Sequence, residues 1–257
     1  LAFALAPHAP YTVGDTTWER VVMYGRQLDL PIGTHVAETA GEVAAQRAAT
    51  GESPLARLDR LGATGPTFIA IHAVHVDAAD VAALAAQGCH VVHCPASNLK
   101  LASGIAPVPA LLAAGVNVAL GTDGAASNNR LDVFEEMRLA SLVAKVGSGD
   151  AAAVPAATAL AMATINGARA LGMDARTGSL VPGKAADVVA VDFSGVATQP
   201  VFDPVSHLVY AAGRDCVTDV WVDGVRIVER RHLICVDEAA LLARARTWQR
   251  KLAAFPS

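Results

Sequence analysis

The feature that most constrains this chain is an alternation that runs from its first residue to about residue 172. A short apolar run ends in a polar residue, and a stretch of helical periodicity follows. Strands are expected at 2–6, 31–35, 67–72, 89–93 and 117–122. Helices are expected at 15–28, 42–49 with 54–61, 78–87, 107–114, 133–146 and 156–171. Alternation of this kind predicts right-handed βαβ units around a parallel sheet. Five units are visible, three short of the eight that close a barrel. An open doubly wound sheet would lack no strand, but no G-x-G-x-x-G follows any of these runs and polar tips recur on all of them. A (β/α)8 barrel of which only the later strands are present is therefore expected.

The polar tips carry the chemistry. His8, His35 with Glu38, His72 with His75, His93 and Asp123 stand at or just beyond successive strand ends. In a parallel barrel such side chains converge on one mouth, where a metal or an acid/base pair can be assembled. Asp123 closes the run N-V-A-L-G-T-D-G at 117–124, and a carboxylate at a strand tip is costly unless a cation or hydrogen bonds hold it. The competing reading makes Asp123 the N-cap of the next helix. Imidazole and carboxylate suit Zn²⁺ or Fe²⁺, and His35 with Asp123 offers one of each. A catalytic zinc takes three protein ligands plus water, so these two alone are insufficient.

Composition narrows the partners. With 53% hydrophobic residues the 257-residue chain can bury a large core, and a net charge of −4 without a basic cluster gives no footprint for nucleic acid or an anionic membrane. A small-molecule partner is expected. Cys89, Cys94, Cys216 and Cys235 make no C-x-x-C pair, which predicts reduced thiols and a cytoplasmic protein. The opening L-A-F-A-L-A-P lacks the basic region of a signal peptide and is too short to span a membrane. It reads as the end of a strand, with an upstream part of the protein expected before it.

After Gly172 the texture changes. The segment 178–192 reads as a strand after a Pro-Gly turn, 217–228 as a hairpin turned at Asp223-Gly224, and Asp237 as the cap of a last helix. The expected division is a barrel portion at 1–176, a small β-sandwich domain at 177–236, and a C-terminal helix at 237–257 that packs on the barrel through Leu241, Ala245, Trp248 and Leu252.

Five blocks in this order resemble the amidohydrolase superfamily: P-H-A-P-Y-T at 7–12, H-V-A-E-T at 35–39 with Glu42, H-A-V-H at 72–75, H-C-P-A-S-N-L-K-L at 93–101 with G-I-A-P at 104–107, and G-T-D-G-A-A-S-N-N at 121–129. Within it they are most similar to the methylthioadenosine/S-adenosylhomocysteine deaminase branch, close to the triazine chlorohydrolases. T-I-N-G-A at 164–168 and G-S-L-V-P-G-K-A-A-D at 178–187 extend the resemblance. It implies a hydrolytic deaminase with one Zn²⁺, or Fe²⁺, acting on a purine nucleoside-like substrate. It also implies roles. His35 and Asp123 would be metal ligands, Asp123 also the acceptor of the attacking water's proton. Glu38 would be the acid that protonates the ring, His72 the histidine beside the water, and His8 a substrate contact. Structural or supporting roles are expected for His75, His93, Ser97 and Asn98. The family's first-strand H-x-H pair has no counterpart here. Guanine deaminase and triazine hydrolase remain alternatives within the superfamily, and a non-catalytic half-barrel binding module is the alternative of another class. A homo-oligomer, dimer or tetramer, is compatible with this reading.

Overall fold

The computed structural model describes residues 2–254. Its first sheet has four parallel strands in chain order: β1 (Ile32–Val36), β2 (Phe68–His72), β3 (His90–His93) and β4 (Asn117–Leu120). The register sets Val36 beside His72 and His93 beside Leu120, so the strands finish nearly level. The expected strand at 2–6 is reduced to a single parallel bridge between Leu5 and Ile32, held by Leu5 N–H to the Pro31 carbonyl and Gly33 N–H to the Leu5 carbonyl. Pro7 ends it, because proline offers no N–H with which the ladder could continue.

Helices join the strands in the predicted order. Asp15–Leu28 follows the Leu5 bridge, Ala40–Thr50 and Pro54–Arg60 link β1 to β2, Ala78–Ala86 links β2 to β3, and Val108–Ala113 precedes β4. Their boundaries follow local chemistry. The Thr39 and Ser53 side chains cap two of them, and Asp77 with Asp80 forms a reciprocal capping box on a third. The predicted helix at 156–171 is two helices, Ala156–Ala163 and Ile165–Ala170, broken at Thr164, whose φ of −130° and ψ of −96° cannot continue a helix. Short helices at Pro95–Lys100, Ala125–Asn128 and Pro204–Tyr210 carry no long periodic pattern and were not expected.

The second sheet is antiparallel: β5 (Val188–Val191), β6 (Val217–Val222), β7 (Val225–Glu229) and β8 (His232–Leu233). The hairpin turns at Asp223 and Gly224, with φ of 51° and 79°, as the Asp-Gly signal predicts. Among the described residues this is one sheet of four strands, not the two layers of a sandwich. The Asp237 carboxylate caps helix Glu238–Ala253 as expected. The expected packing of that helix on the barrel is not found: every described residue of it is exposed, Leu241, Leu242, Trp248 and Leu252 included. The helix follows β8, the edge strand of the antiparallel sheet. No helix among the described residues is long and apolar enough to cross a membrane.

The main core lies between the parallel sheet and its helices. Trp18, Leu55, Leu58, Phe68, Leu84 and Leu111 are each less than 2% exposed. Side chains of this size contribute about 1.5–3 kcal/mol each on burial. Phe68 opens β2 opposite Ile32, inside this cluster. Phe68→Ala should therefore destabilise the fold by about 3–5 kcal/mol, measured by chemical denaturation.

Candidate metal centre

Alternation along β1 assigns two faces. Ile32, Thr34 and Val36 are buried, while Gly33 and His35 lie on the opposite, more open face. His35 stands there with a defined tautomer. Its Nδ1 is 2.8 Å from the His8 carbonyl, which can only accept, so Nδ1 carries the proton and Nε2 keeps its lone pair.

His72 reaches the same spot by a different route. Strict alternation would send it with Phe68 and Ala70 to the helix-packed side. Its φ of 74°, followed by 47° at Ala73, turns the strand tip, and its ring stacks on His35 with centroids 5.4 Å apart. Left-handed conformations at non-glycine residues cost of order 1–3 kcal/mol and persist where surrounding bonds over-determine them. Here the His72 Nδ1 donates to Asn98 Oδ1 at 2.8 Å, again leaving Nε2 free, and the ring is 1% exposed. The His8 ring meets His35 edge-on, centroids 5.2 Å apart, with its Nδ1 on the Thr12 hydroxyl.

Asp123 has a φ of 59° at the end of the loop after β4. The helix-cap reading is overturned. Helix Ala125–Asn128 has Gly124 at its N-cap and no side-chain cap, whereas the Asp123 carboxylate accepts from Ser97 Oγ at 2.7 Å and Ser127 Oγ at 2.6 Å. Burial pushes this carboxyl up, but the bonds from Ser127, Ser97 and the Gly124 N–H, together with the nearby His72, hold it below the usual carboxylate range. Asp123 is therefore ionised at neutral pH. Gly121 is needed beneath it, since a Cβ there would stand 2.7 Å from Val92 Cγ1.

His35, His72 and Asp123 each offer one ligating atom, and the three atoms lie within 4.8 Å of one another. Two bare imidazole nitrogens and one ionised carboxylate oxygen are a donor set that fits a first-row divalent cation. His72 thus brings a second nitrogen within reach of the same point. Glu38 stands at its edge: Oε2 lies 3.8 Å from His72 Nε2 and Oε1 accepts from Ser103 Oγ at 3.1 Å. The bend before Glu38 is held by Glu42, whose carboxylate accepts the Ala37 and Glu38 N–H groups.

His75 and His93 stand outside the cluster. His75 Nε2 donates to the Ser103 carbonyl. His93 is 2% exposed, and burial, then the neighbouring His72, pushes its pKa down to about 4, so it is neutral. Ser103, Ser127, Asn128 and Glu136 are the supporting residues that reading the strand tips misses. Ser127 and Asn128 do lie in the 121–129 block, and Glu136 stands out as a carboxylate among the buried positions Met137, Ala140, Ser141 and Ala144 of helix Val133–Ser148.

Known proteins resemble this chain in sequence and backbone. The 5-methylthioadenosine/S-adenosylhomocysteine deaminase of Teredinibacter turnerae is 48% identical over 96% of this chain and 56% of its own length. The crystal structure of an adenosine deaminase from Xanthomonas campestris with bound zinc superposes with a TM-score of 0.96 and 52% identity, covering 98% of this chain and 57% of that one. The atrazine chlorohydrolase of Arthrobacter aurescens complexed with zinc gives 0.89 and 26%, covering 95% and 54%. The chain thus spans little more than half the length of the relatives it matches. The sequence pattern of the amidohydrolase family matches residues 1–227, so the five blocks, the cluster they build and the superposed backbones agree, and the chain belongs to the amidohydrolase family.

Proposed function

We propose that this chain carries the later strands of a (β/α)8 barrel and much of the active site of a zinc-dependent deaminase, which releases ammonia from the adenine ring of a nucleoside such as methylthioadenosine, S-adenosylhomocysteine or adenosine. The observation that carries this reading is the meeting of His35, His72 and Asp123 within 4.8 Å, with the Glu38 carboxylate beside them. Similarity favours the adenine-type substrate over the triazine one, at 48% against 26% identity. An intact donor cluster also argues against a purely structural half-barrel.

His35 and Asp123 would hold the ion, with His72 in reach of the same centre. Zinc, when bound, lowers the pKa of water from 15.7 to about 7 and so supplies the nucleophile at neutral pH. Asp123, kept ionised by its two serines, accepts the water's proton at the carboxylate. His72, its Nδ1–H held by Asn98, would present the Nε2 lone pair to an O–H of the attacking water and orient it toward the ring carbon. Glu38 protonates the ring nitrogen N1, so that negative charge does not build up on the base. Ser103 holds Glu38 for that transfer. His8, next to His35 and open to solvent, would contact the substrate.

Two measurements test this. In the holoenzyme, Glu38→Gln should lower kcat by about 10²–10⁴-fold while zinc stays bound, and near-normal turnover would refute the assignment. Stripping the metal with a chelator should abolish ammonia release from adenosine-type substrates, and Zn²⁺ should restore it. Activity that survives complete removal of zinc and iron would exclude the reaction proposed.

A further inference from the structure

Glu136 is 1% exposed, and among the described residues it has no ion-pair partner. The nearby Arg130 is engaged by Asp132 and Glu135 instead. A lone buried carboxylate is costly, and the neighbouring buried positions of the same helix, Met137, Ala140 and Ala144, show that the pattern would accept an apolar side chain. What the carboxylate touches explains it. Oε2 accepts the Ala96 N–H at 3.1 Å, and Oε1 accepts Asn128 Nδ2 at 2.6 Å.

Both contacts lead to the residues of the metal centre. The Ala96 N–H belongs to the first turn of helix Pro95–Lys100, which presents Ser97 to Asp123 and Asn98 to His72. Asn128 Nδ2 also donates to the Thr122 carbonyl at 2.8 Å, while its Oδ1 accepts the Arg130 and Leu131 N–H groups. That amide therefore closes the loop on which Asp123 sits in its left-handed conformation. One carboxylate joins the loop after β3 to the loop after β4.

We infer that Glu136 is a positioning residue that acts through Ala96 and Asn128 to set where Asp123 and His72 stand. The inference rests on the reading of Asp123 as a metal ligand. It needs no charge on Glu136, since two hydrogen bonds are accepted. Burial pushes its carboxyl up, and the Ala96 and Asn128 donors only partly offset this.

The test is the zinc affinity of the holoenzyme, read by competition with a chromophoric chelator, alongside steady-state kinetics. In Glu136→Gln an amide NH₂ faces one of the two donors. Zinc should then bind about 10–100-fold more weakly, the usual effect of losing a group that orients a ligand. With zinc saturating, kcat should fall while KM changes by less than about 3-fold, because orientation of reacting groups is lost rather than substrate binding. Asn128→Ala, which removes the amide's bonds to Glu136, Thr122, Arg130 and Leu131 and leaves the Ala96 contact in place, should weaken zinc in the same direction. If both variants bind zinc as the wild type does and lose only thermal stability, Glu136 is a packing residue and the inference fails. A wild type that binds no zinc would sink the metal reading itself, and one that binds zinc without deaminating would sink only the proposed reaction.

Discussion

Parallel pairing in register is the constraint on which the rest depends. Because β1 to β4 run the same way and finish nearly level, residues separated by dozens of positions in the chain arrive at one edge of one sheet. Neighbouring strands lie ~4.8 Å apart, so side chains on adjacent tips can touch without any long reach. His35 and His72, on neighbouring strands, stack in this way. Loss of the register by one residue would turn each strand over and scatter the cluster.

Register alone brings the right residues to the edge but does not aim them. The aiming is done by backbone conformations that ordinary residues avoid. Ala37, His72, Ala73 and Asp123 all have positive φ, and all lie at or just past strand tips. Such conformations survive because hydrogen bonds hold both sides of them: Ala73 N–H to the Val36 carbonyl, His75 N–H to the Ala37 carbonyl, Asn98 on the His72 ring, and Ser97 with Ser127 on the Asp123 carboxylate. The strain and the polar network are thus two sides of one arrangement.

Electrostatics at the site follow the same economy. Asp123 stays ionised because three hydrogen bonds offset its burial, whereas the buried Glu136, with two donors and no cation, is pushed the other way. His93, equally buried, is pushed down to about 4 and stays neutral. The donors around each of these two carboxylates decide whether its burial is offset, whereas burial, then the neighbouring His72, moves His93.

Much of this was legible in the sequence. Helical and strand periodicities, the Asp-Gly hairpin, the Asp237 cap and the polar strand tips are local properties, dictated by residue type and spacing within a few positions. His35, Glu38, His72 and Asp123 stand with His8, His75 and His93 at or just past the ends of apolar runs, and the family resemblance separates their roles. The structure alone decided what depends on long-range contact. It shortened the first strand to the Leu5 bridge and left the C-terminal helix exposed. It also settled that Asp123 takes hydrogen bonds from Ser97 and Ser127 instead of capping a helix, since both loops had to fold before those donors could reach it. His72 is the sharpest case: alternation alone would place its ring among the helices, and only the turned backbone at φ 74°, held by tertiary hydrogen bonds, brings it to His35. Side-chain direction at a strand tip depends on the backbone torsions there, and those are set by partners from far along the chain.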